Sequence, residues 1–97
     1  MTMKKLRLTS KEINIIKNQV YKTFEDAEIY IFGSRIDDNL KGGDIDLYII
    51  TKTPSFAKKL RLKTILEDLL FKPVDIVLAK DKNRLIEKEA LKGVKIG

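Results

Sequence analysis

The chain of 97 residues is 43% hydrophobic and 35% charged, the size and balance of one small globular domain spanning residues 1–97. No apolar run approaches the ~18 residues a membrane-spanning helix needs, and Met1–Arg7 lacks the apolar centre of a secretory leader, so a cytoplasmic protein with no membrane partner is expected. With no Cys and no His, disulfides, thiolate or imidazole metal sites, and histidine-based catalysis are excluded, and any catalytic metal must rest on oxygen ligands.

The net charge is +6, and it is unevenly placed. Residues 1–50 carry 8 basic and 8 acidic side chains, whereas residues 51–97 carry 12 basic and 6 acidic. Such an excess suits an anionic nucleotide, RNA or an acidic protein partner, but a lysine-rich solvated surface is the simpler reading of charge alone.

In chain order, Thr9-Ser10-Lys11-Glu12 has capping-box spacing, and Ile13, Ile16, Val20 and Phe24 follow at helical intervals, predicting a first helix from about Ser10 to Phe24. Glu28–Phe32 is rich in β-branched and aromatic residues and stops at Gly33, a first strand. Asp44–Ile50 alternates acidic and apolar residues, a second strand. Pro54 and Ser55 open a segment in which Phe56, Leu60, Leu62, Ile65, Leu66 and Leu69 have helical spacing, long enough for a crossover helix that Pro73 ends. Val74–Leu78 is a short apolar strand interrupted by Asp75, and Leu85–Leu91 is a last helix with Gly93 placed to terminate it.

The connections bring distant residues together. The loop between the first two strands makes them antiparallel neighbours, and the helix after the second allows a parallel crossover to the third. One edge then collects Gly33, Ser34, Asp44, Asp46 and Asp75. Asp44 and Asp46, two apart on a strand, leave the same face, while Ile45, Leu47 and Ile49 leave the other. Asp75 and Val77 face away from the core side occupied by Val74, Ile76 and Leu78. Two like charges about 4 Å apart repel by roughly 4 kcal/mol at an effective dielectric near 20, so clustered carboxylates call for a cation. Hard oxygen ligands suit Mg²⁺ or Mn²⁺, and two such ions would serve a phosphoryl or nucleotidyl displacement. Taken singly, each Asp reads as solvent decoration of a strand or turn. Gly33-Ser34 directly after a strand offers backbone N–H groups and a hydroxyl for phosphates, and is otherwise an ordinary strand-ending turn.

Gly33-Ser34, Asp44-Ile45-Asp46 and the separate strand carboxylate Asp75 resemble the nucleotidyltransferase motif of the DNA-polymerase-β superfamily, specifically its minimal nucleotidyltransferases. The resemblance covers about residues 28 to 79, and Ile86–Val94 is similar to the group's final helix. Nine residues separate Ser34 from Asp44, one fewer than is usual in the family. The resemblance implies a nucleotidyltransferase-like α/β (α+β) fold with a small mixed sheet of at least three strands flanked by helices. It implies metal ligation and catalysis by Asp44, Asp46 and Asp75, with Asp75 also helping to activate the acceptor hydroxyl. Gly33 and Ser34 would hold the triphosphate, with Arg35 as a further phosphate contact. Implied cofactors are two Mg²⁺ or Mn²⁺ ions with ATP as substrate. The implied role is the antitoxin half of a module whose partner is a HEPN-type toxin, silenced by AMP transfer onto a tyrosine, in a hetero-oligomer. The alternative is a non-catalytic antitoxin that neutralises its partner by contact. Direct RNA binding is not expected, because Lys58, Lys59, Arg61 and Lys63 fall on several helix faces without interleaved aromatics. Tyr21, Tyr30 and Tyr48 read as packing residues.

Overall fold

The computed structural model describes residues 8–32, 45–80 and 84–97. Its elements are α1 (Ser10–Thr23), β1 (Glu28–Phe32), β2 (Ile45–Ile50), α2 (Phe56–Leu70), β3 (Val74–Leu78), α3 (Leu85–Leu91) and β4 (Val94–Lys95). The strands form one mixed sheet in the order β3-β2-β1-β4. β1 runs antiparallel to β2 and to β4, and β2 runs parallel to β3, as the connection lengths require.

Local chemistry sets the helix boundaries. The Thr9 hydroxyl accepts from the Glu12 N–H at 3.1 Å and the Glu12 carboxylate accepts from the Thr9 N–H at 3.0 Å, a reciprocal box that satisfies two otherwise orphaned donors. Lys72 Nζ lies 2.7 Å from the same Glu12 carboxylate and ties the end of α2 to the start of α1. The Ser55 hydroxyl caps α2 by accepting from the Lys58 N–H. At the other end, Phe71 takes a left-handed conformation, φ 57°, and its N–H donates to the Glu67 carbonyl. The helix therefore closes before Pro73, on a residue whose side chain is 91% exposed.

Strand alternation sorts the sheet into two faces. Ile29, Ile31, Ile45, Leu47, Ile49, Val74 and Ile76 turn to one side and pack against Ile16 and Val20 of α1 and Leu62, Leu66 and Leu70 of α2, all buried. Burying each such side chain contributes about 1.5–3 kcal/mol, which makes this layer the main source of stability. The opposite face carries Asp46, Tyr48, Tyr30, Asp75 and Val77, and α3 covers part of it.

The two-residue strand β4 has no counterpart in the sequence-based reading. It pairs Val94 with Ile31 and Lys95 with Tyr30, continued by Ile96 N–H donating to the Ile29 carbonyl and Ile29 N–H donating to the Gly97 carbonyl. Gly93 does more than end α3. A Cβ there would collide with the Ile31 carbonyl oxygen and come within 2.9 Å of Phe32 Cβ, so its missing side chain lets the chain close onto β1.

Candidate active site

The parallel ladder between β2 and β3 sets Asp46 directly opposite Asp75. The antiparallel ladder sets Phe32 of β1 opposite Asp46 on the other side. Phe32, Asp46 and Asp75 thus form one row across the sheet, with neighbouring strands about 4.8 Å apart. Both carboxylates belong to the face opposite the isoleucine layer, so the two acids share a face as well as a row. Asp46 is half-buried and Asp75 exposed.

From the helical layer, α2 fixes the start of β3. Glu67 accepts the Val74 N–H at 2.9 Å; Lys63 Nζ donates to the Val74 carbonyl at 2.6 Å and to Glu67 at 3.0 Å. The backbone N–H of Val74, then Lys63, hold the Glu67 carboxyl below the usual glutamate range. Lys63 Nζ also lies 3.9 Å from Asp75 Oδ1. These residues clamp the backbone one position before Asp75 and bring a cation to its carboxylate. The sequence reading placed Lys63 on a solvated helix face; neither its pairing with Glu67 nor its grip on the β3 backbone was foreseen.

The next row, Tyr30, Tyr48 and Val77, is roofed by α3. Glu87, fully buried, accepts from the Tyr48 hydroxyl at 2.8 Å and from the Lys80 N–H with both oxygens at 3.1 Å, and Arg84 Nη1 lies 3.4 Å away. Burial first, then the Glu87 hydrogen bond and charge, push the Tyr48 phenol above its ordinary value. The Tyr48 ring also meets the Tyr30 ring, tilted at 53° with centroids 6.0 Å apart. A helix is thereby fastened beside the carboxylate row. As expected for Tyr48, the ring is packing, but the buried glutamate that anchors it was not foreseen.

Of the residues expected at the site, the fold brings Asp46 and Asp75 together. Gly33, Ser34, Arg35 and Asp44 lie outside the described residues. Among the described residues no group of three acidic side chains converges on one point. The donor set of the row is oxygen alone, which fits a hard cation such as Mg²⁺ or Mn²⁺ rather than a soft one.

An antiparallel strand pair extended by a parallel crossover strand, with helices against the sheet and an acidic row at the start of the parallel pair, defines a nucleotidyltransferase-like α/β fold. The family model described as polymerase beta, nucleotidyltransferase matches residues 13–96, and the chain belongs to that family. The fold is also similar to a chain in the solved complex of a tri-AMPylated HEPN toxin from Shewanella oneidensis with its MNT antitoxin. The two share 18% identity over 93% of this chain and 72% of that one, with a TM-score of 0.76, a likeness of fold. No curated protein matches the chain in sequence. Among the described residues no helix is long and apolar enough to cross a membrane.

Proposed function

We propose that this chain is an MNT-type antitoxin that transfers AMP from ATP to a tyrosine hydroxyl of a HEPN-type toxin. The observation that carries the reading is the in-register pair Asp46 and Asp75 on the face opposite the isoleucine layer of a polymerase-β-family sheet. The AMPylated state of the toxin in the complex of similar fold supports the reaction type. Asp46 and Asp75, with Asp44, would hold one or two Mg²⁺ or Mn²⁺ ions, which when bound neutralise the triphosphate and the charge that develops on the leaving group. Gly33 and Ser34 hold the triphosphate, and Arg35 adds a phosphate contact. The acceptor phenol oxygen bonds to the α-phosphorus, the bond from that phosphorus to the bridging oxygen breaks, and pyrophosphate departs. Asp75, exposed and adjacent to the Lys63 ammonium, helps draw the phenol proton away.

A second reading, neutralisation by contact alone, is favoured by the apolar side chains on the helix surfaces. Phe56, Leu60 and Leu69 of α2 and Leu85 of α3 are 44–81% exposed. Asp46→Asn and Asp75→Asn separate the two. Loss of both AMP transfer and toxin neutralisation supports the enzyme; retained neutralisation without transfer supports contact.

A further inference from the structure

The outer strand of the sheet, β3, has one edge without a neighbouring strand among the described residues, and its hydrogen-bonding groups divide by parity. Ile45 N–H donates to the Pro73 carbonyl and Ala79 N–H to the Ile49 carbonyl, both at 2.9 Å. Residues 73, 75, 77 and 79 therefore pair inward with β2, and Val74, Ile76, Leu78 and Lys80 turn both backbone groups outward. The two ends of this outward row are occupied. Val74 is held by Glu67 and Lys63, and the Lys80 N–H by Glu87. Between them stand Ile76 and Leu78, whose outward N–H and C=O groups meet no hydrogen-bonding side chain among the described residues.

This short length of edge lies in a groove. A cavity of about 460 Å³ runs along Ile76, Val77 and Leu78, walled by Phe56 and Lys59 of the first turn of α2, by Lys80 just after β3, and by Arg84 and Ile86 at the start of α3. Phe56 and Ile86 are 67% and 43% exposed, and Lys59 Nζ sits 5.2 Å from the Phe56 ring centroid. The described lining includes three cations and no acid. An unpaired edge flanked by walls is a template for a further strand. A second copy of this chain would bring the same cations face to face across a two-fold axis, which like-charge repulsion opposes.

We propose that the β3 edge receives an extended segment of a partner protein, which pairs with Ile76 and Leu78 as a fifth strand and carries acidic side chains to Lys59, Lys80 and Arg84. Its apolar side chains rest on Phe56 and Ile86. The proposal does not depend on the transfer reading: Ile76 and Leu78 turn their backbone groups to the outer edge, whereas the Asp75 carboxylate belongs to the sheet face that it shares with Asp46.

The test is amide hydrogen exchange by NMR on the intact chain, titrated with a fluorescein-labelled Glu-Val-Glu-Val-Glu peptide, its Lys-for-Glu counterpart and its alternately N-methylated form. The expected result is saturable binding of the acidic peptide with at least about tenfold slower exchange at Ile76 and Leu78. The two control peptides should not bind, and Lys59→Glu or Lys80→Glu should weaken affinity about tenfold or more. The proposal is overturned by no binding up to about 1 mM peptide, by protection confined to other amides, or by equal binding of the controls. It is likewise overturned if sedimentation shows self-association that protects these amides without peptide, or if ATP alone, rather than the peptide, occupies the groove.

Discussion

The Tyr48 hydroxyl donates a 2.8 Å hydrogen bond to Glu87 Oε1, and both side chains are fully buried. A tyrosine on the central strand β2 and a glutamate on the short helix α3, 39 residues apart, thus fasten the last helix to the sheet beside the acidic row. Because the Lys80 N–H shares the same carboxylate, the chain leaving β3 is held in place too. Tyr48→Phe should cost about 1–3 kcal/mol in urea unfolding, since it removes one donor from a buried carboxylate. Glu87→Leu should cost more, because it strands both the Tyr48 hydroxyl and the Lys80 N–H. A double-mutant cycle should give a coupling energy distinguishable from zero; strict additivity would mean that the bond contributes nothing to stability.

Stability should form a plateau between about pH 6 and pH 9 and fall on both sides, with no histidine to titrate inside it. On the acid side, burial pushes the Glu12 carboxyl up, but the hydrogen bonds from Lys72 and Thr9 outweigh it and hold it below its ordinary 4.5. Glu67 is lowered by the Val74 N–H and Lys63, and Asp26 by the Thr51 hydroxyl and the Lys52 N–H. Each folded pKa lies below its unfolded value, so the contribution is present above the unfolded value and lost as pH falls through the folded one. The urea midpoint should therefore drop below about pH 4.5, and Glu67→Gln should shallow that drop. On the alkaline side Tyr48 is raised above its ordinary 10.0, so the unfolded chain sheds that proton first and stability falls as pH passes 10.0. Tyr48→Phe should remove part of this alkaline loss.

Phe71 closes α2 in the left-handed region at φ 57° with its side chain 91% exposed. That conformation costs a non-glycine residue about 1–2 kcal/mol. Phe71→Gly should stabilise the free protein by about 0.5–1 kcal/mol after the added freedom of the unfolded chain is counted. Thermal unfolding checks it, and a lower Tm would show that the ring is held by packing the exposure does not reveal.

If Asp46 and Asp75 share a cation and nucleotide, ligand binding must stabilise the folded chain. At a ligand concentration a hundred times Kd the gain is about 2.7 kcal/mol, worth roughly 10–20 °C in Tm for a chain of this size. Mg²⁺ with ATP should raise the Tm of the wild-type protein and leave Asp46→Asn and Asp75→Asn nearly unmoved. An equal rise in all three would place the ligand elsewhere.

Patterns that are local in sequence were legible. The bounds of β1, β3 and α3, the Thr9/Glu12 capping box, the antiparallel and parallel pairings, and the outward face of Asp75 all follow from alternation, capping chemistry and connection length. β2 is described from Ile45, one residue after the expected start at Asp44. What was not legible depends on partners far apart. β4 is two residues long, too short for any period, and exists because Gly93 can approach Ile31. Glu87 sits in an amphipathic helix as an unremarkable acid until Tyr48 and the Lys80 N–H are brought to it. Lys63 read as one of several solvated lysines, yet it grips the Val74 carbonyl and stands beside Asp75. In the site itself, strand alternation already put Asp46 on the face away from Ile45, Leu47 and Ile49, whereas the matching of Asp46 with Asp75 required the β2–β3 register; the expected common face of Asp44 and Asp46 falls outside the described residues.

The most direct test of the proposed transfer incubates the protein with α-labelled ATP, Mg²⁺ or Mn²⁺ and a lysate of its source organism, beside Asp46→Asn and Asp75→Asn variants shown to be folded. The predicted result is label on one protein band, released as tyrosine-linked AMP on digestion and absent with both variants. Label that persists in both variants, or no label while a partner co-purifies equally with all three proteins, would contradict a catalytic role for the acidic row.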